Sequence, residues 1–130
     1  MRTVPPMLLA LTFLFGPLIA VPAPSGAAPP PFGIGDWVVT GNETLENRSL
    51  MLDGNLTIES GGSLTISHSS LTVYCEYSDE HEIEVLPGGT LRVLNDSMIN
   101  SLGEWNTFGF GIWTDATVVF EDSLFEGLAP

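Results

Sequence analysis

The chain has 130 residues, with sixteen Asp and Glu against three Arg and no Lys, for a formal net charge of −13 at pH 7. That length allows one modest domain. The charge repels nucleic acid and anionic lipid surfaces and so argues against both as partners.

Arg2 is the only charge before Asp36, and residues 7–20 (MLLALTFLFGPLIA) form an apolar run of 14 residues. That run is too short to span a bilayer and is broken by Gly16-Pro17. Small residues follow at Ser25-Gly26-Ala27. A charged start, a short apolar stretch and a small-residue exit predict a secretory signal peptide over 1–27. The expected location is therefore secreted or cell-surface, with no transmembrane span once the signal is removed. Residues 28–36 carry Pro29, Pro30 and Pro31 and read as an extended leader. All sixteen acids lie from Asp36 onward against Arg48 and Arg92, so the exported part is near −14. Cys75 is the single cysteine, so no internal disulfide can form and packing or a metal must hold the domain.

From Trp37 onward the chain repeats itself. The hexamer GGSLTI at 61–66 returns as GGTLRV at 88–93, 27 residues later, and as DATVVF at 115–120. The same shift overlays Leu56, Ile83 and Phe110; Ile58, Val85 and Ile112; Leu64, Leu91 and Val118; and Ile66, Val93 and Phe120. Apolar residues alternate with polar ones over two positions and are separated by Gly, Ser, Asn or Asp. This pattern predicts very short strands in a stacked repeat.

We label the strand positions A (Leu50/Leu52), B (Leu56/Ile58) and C (Leu64/Ile66). Position A returns at Leu71/Val73 and is next expected at Met98. The A-to-B connection grows from Asp53-Gly54-Asn55 to nine residues at 74–82 and at 101–109. A 21-residue frame with a loop inserted at one corner accounts for both spacings. Before each A strand stands a polar triplet ending in Ser: Asn47-Arg48-Ser49, His68-Ser69-Ser70, Asn95-Asp96-Ser97 and Glu121-Asp122-Ser123. Asn47 and Asn95 are expected to bond the backbone of neighbouring coils. Trp37-Val38-Val39 is expected to cap the first coil, and Phe110, Ile112, Val118 and Phe120 to form an open terminal layer.

Three short strands per coil with fixed corner chemistry resemble the right-handed parallel β-helix, the fold of pectin-lyase-like and related repeat proteins. The resemblance covers roughly 37–128 and implies an all-β solenoid of three to four short coils, with domain bounds 37–130. For lyases of this fold, it implies acidic calcium ligands and an Arg or Lys base. Only Arg48 and Arg92 are available in the exported part, and neither has a cluster of Asp one coil away. The Asn-Thr-Asp, Asp-Asp, Gly-His-Gly and Arg-Ile-Lys motifs of the hydrolases do not occur. No catalytic residue is assigned. A lyase or hydrolase of acidic polysaccharide stands as the rival reading, and a self-assembling structural unit as a third.

The 74–82 loop mixes Cys75, Glu76, Asp79, Glu80, His81 and Glu82, but matches no calcium-loop or zinc spacing. No metal ligand or cofactor is assigned, with calcium the one ion the acidity leaves open. Equal loops at one corner should place Tyr74, Tyr77, Trp105 and Phe108 on one face beside Glu76, Asp79 and Glu104. Aromatic rings beside carboxylates suit sugars, whose apolar faces stack while hydroxyls bond the acids. The expected partners are thus polysaccharide or cell-envelope components, with end-to-end self-association or continuation in a longer chain. Of four Asn-x-Ser/Thr sequons, Asn42 and Asn55 are the favoured glycosylation sites.

Overall fold

A computed structural model describes residues 28–103 and 107–127, so the signal-peptide expectation over 1–27 lies outside the described residues. Twelve short strands run from β1 (Trp37–Val39) through β2 (Asn42–Glu46), β3 (Ser49–Leu52), β4 (Leu56–Ile58), β5 (Ser63–Ser67) and β6 (Ser70–Tyr74). They continue through β7 (Glu82–Val85), β8 (Thr90–Leu94), β9 (Met98–Leu102), β10 (Gly109–Ile112), β11 (Thr117–Phe120) and β12 (Leu124–Phe125). Each strand pairs with the one three places on in the chain, always in parallel. The result is three four-stranded sheets: A (β3, β6, β9, β12), B (β1, β4, β7, β10) and C (β2, β5, β8, β11). This is a short parallel β-helix of four coils. No helix among the described residues is long and apolar enough to cross a membrane.

The two-residue alternation sends one side chain in and the next out. Equivalent inward residues stack in ladders: Trp37–Leu56–Ile83–Phe110 in sheet B, Leu64–Leu91–Val118 in sheet C and Leu50–Leu71–Ile99–Phe125 in sheet A. Leu56, Ile58, Leu64, Ile66, Leu71, Val73, Ile83, Val85, Leu91 and Val93 are all fully buried. In the fourth coil the interior is closed by phenylalanines. Phe125 stands edge-on to Phe108 and Phe110 at 5.7 and 4.8 Å and lies 4.9 Å from Phe120. Above them the layer is open among the described residues, with Ile112 55% and Phe120 38% exposed.

The recurring glycine pair has two separate jobs. Gly61 and Gly88 adopt φ of 85° and 84°, a region costly for most L residues, and Asp115 takes the same role at 68°. Gly62 and Gly89 instead allow coils to approach. A Cβ at Gly62 would lie 2.4 Å from the Val39 carbonyl oxygen, and one at Gly89 2.9 Å from that of Ile58.

The C-to-A corner turns on residues that tolerate left-handed backbone: Asn47, His68, Asn95, Asp96 and Asp122 all have positive φ. The third coil spends two such residues, Asn95 and Asp96, where the second spends only His68. The frame therefore lengthens by one there: Ser67 pairs with Leu94, but Ser70 pairs with Met98. Position A of the third coil is thus Ile99, and the expected Met98 sits one residue early, half-buried beside Ser70. The compensating residue is missing from the following loop, since Tyr74 pairs with Leu102 while Glu82 pairs with Gly109.

Serines occupy the inside of this corner. Ser69 Oγ donates to the Ser67 carbonyl at 2.8 Å and accepts the Arg48 N–H at 3.0 Å. Ser97 Oγ accepts the Ser69 N–H at 3.1 Å and donates to Leu94 O at 2.6 Å, with Ile66 O of the preceding coil at 3.1 Å. Ser123 Oγ donates to Val93 O at 2.8 Å. These bonds satisfy backbone groups that the turn removes from the ladders. The coil-linking residue at this corner is therefore Ser. Asn95 contributes through Nδ2, which donates to Ser67 Oγ at 2.9 Å.

The N-terminal side differs from expectation in two ways. Trp37–Val39 is strand B of a complete first coil, because Asn42–Glu46 supplies its strand C through Leu45, which is 1% exposed. Residues 28–36 hold a 3-10 turn at Pro31–Gly33 and an Ile34–Asp53 bridge, so this leader is docked on the first coil. The Asp53 N–H donates to Gly33 O at 2.7 Å and the Gly35 N–H to Asp53 O at 3.1 Å.

Candidate functional site

The A-to-B corner carries the length variation and most of the polar chemistry. In the first coil it is tight: a Cβ at Gly54 would lie 2.1 Å from the Gly35 carbonyl oxygen. Asp36 Oδ1 accepts the Asn55 N–H, and Asn55 Oδ1 accepts the Glu82 N–H of the next coil, each at 2.9 Å. A short polar side chain thus fastens successive coils where the sheets are interrupted.

In the second coil the loop folds back on itself. The Glu80 N–H donates to Tyr77 O at 3.1 Å, and Glu80 Oε1 accepts the Glu76 N–H at 2.6 Å. Glu80 Oε2 is left facing His81 Nε2 at 3.7 Å, and the same nitrogen lies 3.0 Å from Asp53 Oδ1 of the first coil. A carboxylate can only accept, which places a proton on Nε2. His81 Nδ1 is buried without a hydrogen-bond partner among the described residues. Asp53, Glu80 and His81 together bring three ligand-type atoms within 4.8 Å of one another. The 74–82 loop read alone lacks the third member, Asp53. It becomes visible only through the register, because Asn55 stacks under Glu82 and so places Asp53 below Glu80.

The aromatic expectations divide. Tyr77 is 58% exposed on the loop, beside the exposed acids Glu76 and Asp79. Tyr74 is half-buried and lines a cleft of about 310 Å³ with Phe32, Ile34, Met51 and Asp53. Phe108 is fully buried against Phe125, so it is a core residue and no part of a binding face. Glu104 and Trp105 lie outside the described residues. Asp79 lines a second cleft of about 490 Å³ with Asn55, Glu80, His81, Glu82 and Phe110. Ser78 Oγ and Thr107 Oγ1, 3.1 Å apart, tie the second-coil loop to the third.

One exposed aromatic was not anticipated. Trp113 follows β10 at the B-to-C corner, is 52% exposed, and donates its indole N–H to Glu84 Oε2 at 3.1 Å. Beside it the outward positions of β10 are Gly109 and Gly111. A Cβ there would meet the Glu82 side chain, with Cβ at 3.3 Å, and that of Glu84, with Cγ at 3.5 Å. Sheet B therefore presents a glycine floor flanked by Glu82, Glu84 and Trp113. The signal was present in the 27-residue shift, which sets Gly109, Gly111 and Trp113 over Glu82, Glu84 and Leu86.

Cys75 is fully buried at the start of the loop, and its N–H donates to Leu102 O at 2.8 Å. Burial pushes its thiol above the ordinary value; the His81 backbone N–H opposes this, and the carboxylates of Glu80, Asp79 and Asp53 reinforce it. A thiol held protonated and enclosed is an inert core group. Of the two favoured sequons, Asn42 is exposed at the start of β2, whereas Asn55 is half-buried with Oδ1 engaged by the next coil. No protein-family model, curated protein or solved structure matches the chain.

Proposed function

We propose that the chain is a non-catalytic β-helix module of an exported protein, with pectin-lyase-like architecture, that acts as a scaffold and binds a polysaccharide of the cell envelope. The observation that carries the reading is the outer face of sheet B. Trp113 is exposed and oriented by Glu84, the outward positions beside it are glycines, and Glu82 and Glu84 offer acceptors for hydroxyls. The exposed Tyr77 of the 74–82 loop adds a ring on the A-to-B side of that sheet. With sixteen carboxylates against two arginines, the exported module is suited to neutral or amino sugars and repels acidic ones. The same charge weighs against the rival reading as a lyase or hydrolase of acidic polysaccharide.

Retention on immobilised neutral polysaccharides tests the proposal. Trp113→Ala and Trp105→Ala should each reduce retention at least about tenfold, the scale of one lost ring contact. The melting temperature should stay nearly unchanged, and no reducing ends should be released. Wild-type protein that binds none of the sugars, or variants that bind as well as wild type, would remove the support for a sugar-binding face.

A further inference from the structure

We propose that Asp53, Glu80 and His81 form a binding site for a divalent transition metal of the zinc class, bridging the first two coils. The proposal does not rest on the sugar-binding reading. His81 Nε2 lies 3.0 Å from Asp53 Oδ1 and 3.7 Å from Glu80 Oε2, and the three ligand atoms span no more than 4.8 Å. Ligands about 2.0–2.2 Å from a tetrahedral zinc ion stand a little over 3 Å apart. The triad needs only a modest contraction to enclose the ion.

The ligands are held from outside the cluster. Glu80 is oriented by the bond from the Glu76 N–H to its other oxygen, and its own N–H is fixed to Tyr77 O. Asp53 is pinned through both backbone groups to Gly33 and Gly35. His81 is anchored by its carbonyl, which accepts the Gly109 N–H at 3.1 Å. Carboxylate ligands held by outer hydrogen bonds are characteristic of built metal sites. The side chains grade from enclosed to open, with His81 14%, Glu80 21% and Asp53 48% exposed. The fourth coordination position therefore faces solvent on the Asp53 side.

Metal at Nε2 displaces the proton now shared with Asp53, which moves to Nδ1 or to solvent. Nδ1 has no hydrogen-bond partner among the described residues, so that exchange breaks no bond at the far side of the ring. An imidazole and only three protein ligands favour zinc, copper or nickel over calcium and magnesium, which take six or more oxygens. Binding also crosslinks the corner of the first coil to the loop of the second, so the metal should stabilise the fold.

The test is calorimetric titration of the purified full chain with zinc chloride in excess calcium chloride. One equivalent of zinc should bind, with affinity lowered at least about tenfold by His81→Gln and by Asp53→Asn, the range seen when metal-site groups are lost. His68→Gln, which removes the only other histidine, should leave it unchanged. In the wild-type protein, zinc should shift the His81 ring nitrogens in the NMR spectrum and raise the melting temperature. Zinc binding that calcium abolishes, that survives both substitutions, or that leaves the His81 ring signals in place would overturn the proposal.

Discussion

A single alanine inserted after Leu64, in the middle of β5, should unfold the chain. Ile66 is fully buried and pairs with Leu45 and Val93 in the coils on either side. The added residue turns Ile66 outward and shifts it against both neighbours. Two or three glycines inserted between Ser78 and Asp79 should cost under about 1 kcal/mol, because loop-closure entropy grows slowly with length. These residues are exposed and lie outside every ladder. Thermal melts of the two variants decide the matter. Equal loss from both insertions would show that the coils are wrongly divided.

Leu91→Ala should cost about 3 kcal/mol, in the range for an emptied leucine site. Leu91 is fully buried at the centre of sheet C, between Leu64 and Val118, and the flanking coils cannot close over the gap without breaking their own ladders. Ile112→Ala, in the open fourth coil where the side chain is 55% exposed, should cost under about 1 kcal/mol because little area is returned to water. Urea melts would give both values. A larger loss at Ile112 than at Leu91 would mean that the fourth coil carries the core.

The sheet B and C ladders were legible because two constraints coincide in the sequence. Leu56/Ile58 and Leu64/Ile66 alternate strictly, and the glycine pair between them leaves no freedom in the corner. Sheet A was less legible. Its approach corner uses Asn, Asp and His, which enter the left-handed region at modest cost, so Asn95-Asp96 can absorb a residue without disturbing apolar spacing. Met98 is apolar and falls at the expected interval, yet Ile99 is the buried neighbour. Strand β2 escaped notice for a different reason. Leu45 is its only buried apolar residue, and Glu43 occupies the rung below Leu64.

The sites were legible only in part because they depend on contacts between coils. Within the 74–82 loop, His81 and Glu80 are two ligand-type groups, and Asp53 joins them from 28 residues before His81 in the chain. Phe108 read as an exposed loop aromatic, but the adjoining inward residue of sheet A is Ser101, a small side chain where the previous coil has Val73. The phenyl ring packs edge-on against Phe125, fully buried. Trp113 became notable only through the coil above Glu82 and Glu84, where Gly109 and Gly111 clear the surface beside it.

The parallel stacking register underlies every one of these assignments, and a disulfide can test it. Thr65 on β5 and Arg92 on β8 are direct partners on the outer face of sheet C. Their Cα atoms should stand about 4.8 Å apart, within disulfide reach. With Cys75→Ser removing the native thiol, the Thr65→Cys/Arg92→Cys protein should close an intramolecular disulfide on mild oxidation. Thr44→Cys/Arg92→Cys, two coils apart at about 9.6 Å, should stay reduced. Mass measurement before and after alkylation reads the result directly. Closure of the first pair and not the second is the predicted outcome; failure of the first pair, or equal closure of both, would contradict the stacked-coil register.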